Sequence, residues 1–169
     1  MINAILNFLP PDTSIITIED TPELKVATRY WTRTTTREGV ESEEDRITVF
    51  DLLKIAVRIS VDYVIVGEVR GVEAREWAQA ILLGHGGLTS FHADSPESAL
   101  LRLTTPPISV NPQALESLNV FLHMIPLRTK EWKLVRRTSL FFYEEGKLHP
   151  VFRYNPLEAR VLLVDEDFW

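Results

Sequence analysis

The chain has 169 residues, of which 45% are hydrophobic and 25% charged, and its formal net charge is −6. A chain of this length builds one domain that buries roughly 70% of its unfolded surface; the composition excludes disorder and collagen-like repeats, and the absence of cysteine excludes disulfide scaffolds and thiolate metal sites. The acidic balance, without a basic run, argues against non-specific nucleic-acid binding, because that affinity comes from Lys and Arg displacing counterions around phosphates.

Ile2, Ile5, Leu6 and Leu9 recur at helical spacing until Pro10-Pro11 stops them. No N-cap is encoded ahead of this helix, which reads as an element whose true start has been lost. The opening residues have neither the cationic start nor the cleavage site of a secretory signal. Ser14-Ile15-Ile16-Thr17-Ile18 is β-branched and nearly continuous in apolar character, as a strand buried on both faces should be, and it ends in Glu19-Asp20. Residues 29–36 form a second expected strand, followed by a charged, water-facing loop over residues 37–45. Thr48, with Asp51 three residues on, reads as a capping box opening an amphipathic helix through Val49, Leu52, Leu53, Ala56 and Val57.

Tyr63-Val64-Ile65-Val66 is another buried strand, running into Gly67-Glu68-Val69-Arg70-Gly71. Residues 72–83 are helical by spacing. Gly84-His85-Gly86-Gly87 breaks that helix, and Leu88-Thr89-Ser90-Phe91 makes a short strand ending at His92-Ala93-Asp94. Beyond Pro106-Pro107 come a short helix (112–118), strands around 120–126, 132–143 and 151–154, and a hairpin turn at Glu144-Glu145-Gly146-Lys147. The uncharged stretch toward Pro126 reaches only about half of the ~20 residues a membrane span needs, so the chain is expected to be soluble.

Strands alternating with helices predict an α/β fold with a parallel sheet, whose ligands bind at the C-terminal strand edge. Three strands deliver reactive groups to that edge: Glu19 and Asp20, then Glu68, then His92. Mg²⁺ takes one or two carboxylates plus substrate phosphates. A second carboxylate can orient or deprotonate a water for attack on a phosphoryl group, and a histidine can sense or stabilise the transferred phosphate. Plainer roles stand beside these: Glu19-Asp20 as a helix N-cap or turn acids before Thr21-Pro22, Glu68 as a surface acid paired with Arg70, and His85 as a residue tolerating a left-handed turn. His123 and His149 are given no role.

Three segments resemble motifs of the secretion ATPases, the hexameric motors of type II and type IV secretion, pili and archaeal flagella. Ile18-Glu19-Asp20-Thr21-Pro22-Glu23-Leu24 is similar to the Asp box, residues 62–71 (Asp-Tyr-Val-Ile-Val-Gly-Glu-Val-Arg-Gly) to the atypical Walker B, and residues 84–94 (Gly-His-Gly-Gly-Leu-Thr-Ser-Phe-His-Ala-Asp) to the His box. The resemblance runs from Met1 to about Asn155, and Leu103-Thr104-Thr105-Pro106-Pro107-Ile108 looks most like the archaeal branch. It implies a RecA-like P-loop NTPase core, N-terminally truncated, over residues 1–105, with a β-rich extension over 106–169. It also implies ATP and Mg²⁺ as cofactors. Glu19 becomes the water-activating acid, Glu68 and, through water, Glu19 the groups near Mg²⁺, His85 and His92 neighbours of the γ-phosphate, and Asp20 and Arg70 further nucleotide-binding residues. The implied partners are a homo-hexamer of the full-length protein and an inner-membrane platform protein, with the motor cytoplasmic and peripheral at the membrane and no sequence-specific nucleic acid bound.

Two departures qualify the resemblance. The Gly-x-x-x-x-Gly-Lys-Thr phosphate loop that stands before the first helix in this family does not occur in the sequence, so the isolated chain is expected to be inactive; its amides, Lys and Thr would cradle phosphate and metal. Before the Walker B strand the family's Arg-Gln-Arg-Pro-Asp is replaced by Arg58-Ile59-Ser60-Val61-Asp62. Arginines donated across subunits stabilise transition-state charge in such motors; Arg29, Arg33 and Arg37 are equally open candidates. A motor ATPase lacking its phosphate loop is the leading reading. The alternative is a catalytically inactive fragment or split-gene remnant acting by protein–protein interaction, and a nucleic-acid translocase is a third, weakened by the charge.

Overall fold

The computed structural model describes residues 1–39, 43–129, 131–155, 157–158 and 160–164. Of the expected charged loop, residues 40–42 lie outside the described residues. The chain forms two compact units: Met1–His92 with Arg102–Leu115, and Ala93–Leu101 with Glu116–Trp169.

The first unit is built on a parallel sheet of β1 (Ser14–Glu19), β2 (Tyr30–Thr35), β3 (Tyr63–Val66) and β4 (Gly86–Thr89), in the order β2-β1-β3-β4. The expected parallel α/β arrangement is therefore present. β1 and β3 lie in the middle, pairing Ile15 with Tyr63 through Ile18 with Val66, and their apolar residues are almost wholly buried. Parallel strands covered on both faces read as continuous apolar runs for this reason. Helices α2 (Val49–Ala56) and α3 (Glu73–Leu82) cover one face, with α2 against β1 and α3 against β3 and β4. On the other face Leu6 of α1 (Ile2–Leu6) packs with Ile15, Leu24 and Ile65. The capping box opening α2 forms as expected: Asp51 N donates to Thr48 Oγ1 at 3.2 Å, and Thr48 N to Asp51 Oδ2 at 3.0 Å.

The crossover between β1 and β2 contains no helix; residues 22–27 run without regular structure, held by the Glu19 carboxylate described below. Two expectations need correction. α1 ends at Leu6 rather than Leu9, four residues ahead of Pro10, because residues 7–9 close into a turn. The fourth strand forms over Gly86–Thr89 rather than 88–91. Gly86 and Gly87 read as breakers, yet a Cβ at Gly86 would stand 2.5 Å from the Tyr63 ring, and one at Gly87 2.0 Å from Ile81 Cδ1. These glycines admit close backbone approach inside a strand.

α4 (Pro96–Thr104) and α5 (Pro112–Glu116) follow in the chain. The second unit contains an antiparallel meander of β5 (Val120–Arg128), β6 (Leu134–Glu144), β7 (Lys147–Asn155) and β8 (Arg160–Leu163). The turn joining β6 to β7 falls at Glu145-Gly146, where both residues have positive φ; Glu116 carboxylate oxygens accept from their amides at 3.1 and 2.9 Å. β8 was not anticipated, and Trp132 lies in the β5–β6 turn rather than in β6. No helix among the described residues is long and apolar enough to cross a membrane.

Candidate functional site

The C-terminal ends of β1, β3 and β4 point the same way, because parallel pairing fixes the direction of all three. Just past β3, Gly67 donates its N–H to the Ile18 carbonyl at 2.9 Å. Val69 N then donates to the Ser90 carbonyl at 3.0 Å, and Ser90 Oγ to the Gly67 carbonyl at 2.7 Å. These bonds tie the segment carrying Glu68 to the segment carrying His92.

Glu68 is thereby placed between two bases. Its Oε2 lies 2.6 Å from Arg70 Nη2, and its Oε1 lies 3.2 Å from His92 Nε2. The hydrogen bond from Arg70 is the largest influence on its titration, and with the guanidinium charge it outweighs partial burial, so the carboxyl is held below the usual carboxylate range. The plainer pairing of Glu68 with Arg70 is real, and His92 is added to it. Glu68, Val69, Arg70, His92 and Arg102 line an open depression of about 410 Å³. Sequence reasoning missed Arg102. It stacks over Phe91 at 4.6 Å and donates from Nη1 to the His92 carbonyl. Its only sequence signal was its position in the helix that follows His92.

Glu19 is not part of this cluster. Its carboxylate is buried, with Oε1 accepting from the amides of Glu23 and Leu24 at 2.7 Å each. Oε2 lies 3.6 Å from Arg33 Nε and is without a hydrogen-bond partner among the described residues. Arg33 donates in turn to the Leu24 carbonyl and stacks over Trp31 at 4.3 Å. The register explains the separation. Glu19 stands beside Gly67, where a Cβ would come 3.7 Å from its Cγ, whereas Glu68 follows in the irregular segment after β3 and is turned to Arg70 and His92. Asp20 accepts from Thr36 Oγ1 at 2.9 Å.

His85 lies at the other end of the sheet. It precedes β4, and its Nδ1 is 2.7 Å from the carbonyl of Val61, which precedes β3. The four residues of β4 span roughly 13 Å, so His85 and His92 are brought to opposite edges. At His85's edge Asp62 accepts from Ser14 N and Oγ at 2.7 Å each, joining the starts of β1 and β3. Arg29 pairs with Asp12 at 3.6 Å. Among the described residues no group of three or more His, Asp or Glu is arranged to hold a metal ion alone.

A protein-family model described as type II/IV secretion system protein matches residues 1–133. The chain belongs to this family. The uncharacterized protein MJ1287 of Methanocaldococcus jannaschii is 42% identical over 164 residues, covering 92% of this secretion-family chain and 60% of MJ1287. The type IV secretion system protein PtlH of Bordetella pertussis is 36% identical over 112 residues, covering 62% of this chain and 31% of PtlH. The chain thus spans 60% or less of the length of these two relatives. The VirB11 ATPase of the Brucella suis type IV secretion system, solved with sulphate, superposes with a TM-score of 0.65 at 23% identity, covering 83% of this chain and 43% of VirB11. The shared fold is a RecA-like core.

Proposed function

We propose that this chain is the Walker B and His-box part of a motor ATPase that couples ATP binding and hydrolysis to protein export or to pilus or flagellum assembly. The observation that supports it most is the Glu68 carboxylate held between Arg70 and His92 at the C-terminal edge of a parallel sheet. The phosphate loop is supplied from outside these 169 residues, in a homo-hexamer that is cytoplasmic and docks on an inner-membrane platform protein.

The donor set fits a nucleotide-borne Mg²⁺. Such an ion needs one or two carboxylates, with phosphates and waters completing its shell, and it supplies charge neutralisation at the phosphates. Glu68, anionic because Arg70 keeps it so, would hold it. Glu19, buried and with its Oε1 given to the Glu23 and Leu24 amides, has no exposed oxygen to offer a water and is not assigned to the ion. Arg70 and His92 place positive or donor groups where negative charge develops. Arg33, engaged with Glu19 and the Leu24 carbonyl, is a poor donor across subunits; Arg29, exposed and only loosely paired, suits that role better. His85, at the far edge, is left out of the phosphate site.

The test joins a strand and Gly-x-x-x-x-Gly-Lys-Thr loop ahead of Met1 and measures phosphate release. The 169-residue chain shows no turnover and the fusion does. Glu68→Gln and His92→Ala in the fusion each lower the rate by about a hundredfold or more. A fusion that binds ATP yet never hydrolyses it supports the interaction-only alternative, and one that keeps its rate after Glu68→Gln removes the proposed role of that residue.

A further inference from the structure

The antiparallel meander has two edges of different character. β8 is four residues long and opens on Arg160, and short, charged edges resist pairing with other chains. β5 runs nine residues and pairs with β6 alone among the described residues, yet no Asp, Glu, Lys or Arg stands between Glu116 and Arg128. A long uncharged edge is a row of open N–H and C=O groups that recruits another strand.

The hydrogen bonds flanking β5 fix which of its groups are open. Tyr143 N donates to the Asn119 carbonyl at 2.8 Å, and Thr129 N to the Lys133 carbonyl at 2.9 Å, so the odd-numbered residues are the ones bonded to β6. Bonded and non-bonded pairs alternate along an antiparallel ladder. Val120, Leu122 and Met124 therefore turn their N–H and C=O groups to the open side. Pro126 falls in the same row and has no N–H to offer, which ends the usable edge there. Val120, Leu122 and Met124 also carry exposed apolar side chains, at 55%, 38% and 36%. Leu122 begins a line across the whole meander, because it is paired with Leu140, Leu140 with Phe152 and Phe152 with Leu163.

This edge is its own complement. Two copies of β5 related by a two-fold axis through Leu122 set Leu122 against Leu122 and Val120 against Met124, all from the open row. Each pair then exchanges both of its hydrogen bonds, no like charges meet, and Pro126 lies outside the paired stretch. The line from Leu163 through Phe152 and Leu140 to Leu122 continues across the axis into the second sheet. An axis through His123 would instead set the two histidines face to face and bring Pro126 opposite Val120. We infer that β5 is a self-association edge, through which a second copy of this chain joins its meander to the first as one continuous antiparallel sheet. Such a contact uses one patch twice, whereas a ring of more than two subunits needs two different patches. It is therefore separate from ring assembly and from nucleotide chemistry, so its failure leaves the proposed ATPase role standing, and the reverse.

The sequence has no cysteine, so an introduced thiol reports the contact directly. Opposed residues of a bonded antiparallel pair have Cα atoms about 5.5 Å apart, within the span of a disulfide. With copper phenanthroline as oxidant, the full chain bearing Leu122→Cys is expected to cross-link into a species of two chains. Val120→Cys alone is not, because its counterpart lies roughly 14 Å away along the strand, whereas Val120→Cys mixed with Met124→Cys is. Sedimentation equilibrium measures the strength: Leu122→Lys weakens association by about tenfold or more, while Leu163→Lys, at the far edge of the same apolar face, leaves it unchanged. Both side chains are exposed, and an unaltered circular dichroism spectrum verifies that each variant folds. A chain that stays monomeric at submillimolar concentration overturns the inference and leaves the edge to a foreign strand. Cross-linking as strong at Val120→Cys as at Leu122→Cys overturns it as well, and an equal loss with Leu163→Lys does so by showing that the sheet faces stack instead.

Discussion

Glu19 is the residue whose two possible roles can be separated most cleanly. Its Oε1 accepts two short backbone hydrogen bonds, from Glu23 and Leu24, and Leu24 is a member of the cluster with Leu6, Ile15 and Ile65. Hydrogen bonds to a charged group contribute about 1.5–3 kcal/mol each. Glu19→Ala deletes both and leaves a buried Leu24 amide without an acceptor, so a loss of about 3–6 kcal/mol is expected. Glu19→Gln keeps a neutral carbonyl at the same place and loses only the charge assistance, so it costs about 1–3 kcal/mol. Urea unfolding followed by tryptophan fluorescence gives both differences, and hydrogen exchange at the Glu23 and Leu24 amides reports the loop directly. Equal costs for the two variants, or a cost for Glu19→Ala below about 1 kcal/mol, would show that the carboxylate does not latch the loop. In the fusion used to test hydrolysis, Glu19→Gln keeps an acceptor for the loop amides, so a large loss of rate in a variant whose circular dichroism spectrum is unaltered reports chemistry rather than architecture.

Gly87→Ala is expected to destabilise the chain by about 1–3 kcal/mol through overpacking, because its Cβ would meet Ile81 Cδ1 at 2.0 Å; combined with Ile81→Ala the cost shrinks, and a double-mutant cycle showing no coupling refutes the clash. Hydrogen bonds from Ser14 hold the Asp62 carboxyl below its ordinary value of 3.8. A carboxylate with a depressed folded value stabilises fully above its unfolded pKa and loses that contribution as pH falls through the folded one. Asp62→Asn should therefore flatten the decline in melting temperature below about pH 4, and an unchanged acid limb would count against the clamp.

Much of the fold was legible because burial on both faces leaves continuous apolar runs. Ile15 to Ile18 and Val64 to Val66 announce two central strands without any knowledge of their pairing. Thr48 and Asp51 announce a helix start through a local mechanism that tertiary contacts do not alter. β4 was misplaced because glycine carries two meanings, chain breaker and close-packing residue, and only the facing Tyr63 and Ile81 decide between them. β8 escaped because Arg160–Leu163 is short and sits at the edge of a meander, where neither face imposes a strict pattern.

The site was legible as an edge but not as a constellation. Chain order says that Glu19, Glu68 and His92 each follow a strand; it cannot say which residues stand side by side, since that depends on register. Glu19 ends its strand beside Gly67, while Glu68 sits in the irregular segment beyond β3, and the two carboxylates have separate partners, Arg33 for one and Arg70 with His92 for the other. His85 is different. Any strand placed between Gly84 and His92 puts the two histidines at its opposite ends, so their separation followed from the element assignment alone. The motif resemblance hides this, because it reads both histidines as one box. Distance along the chain then stands in for distance in space, and across a strand of even four residues that substitution fails.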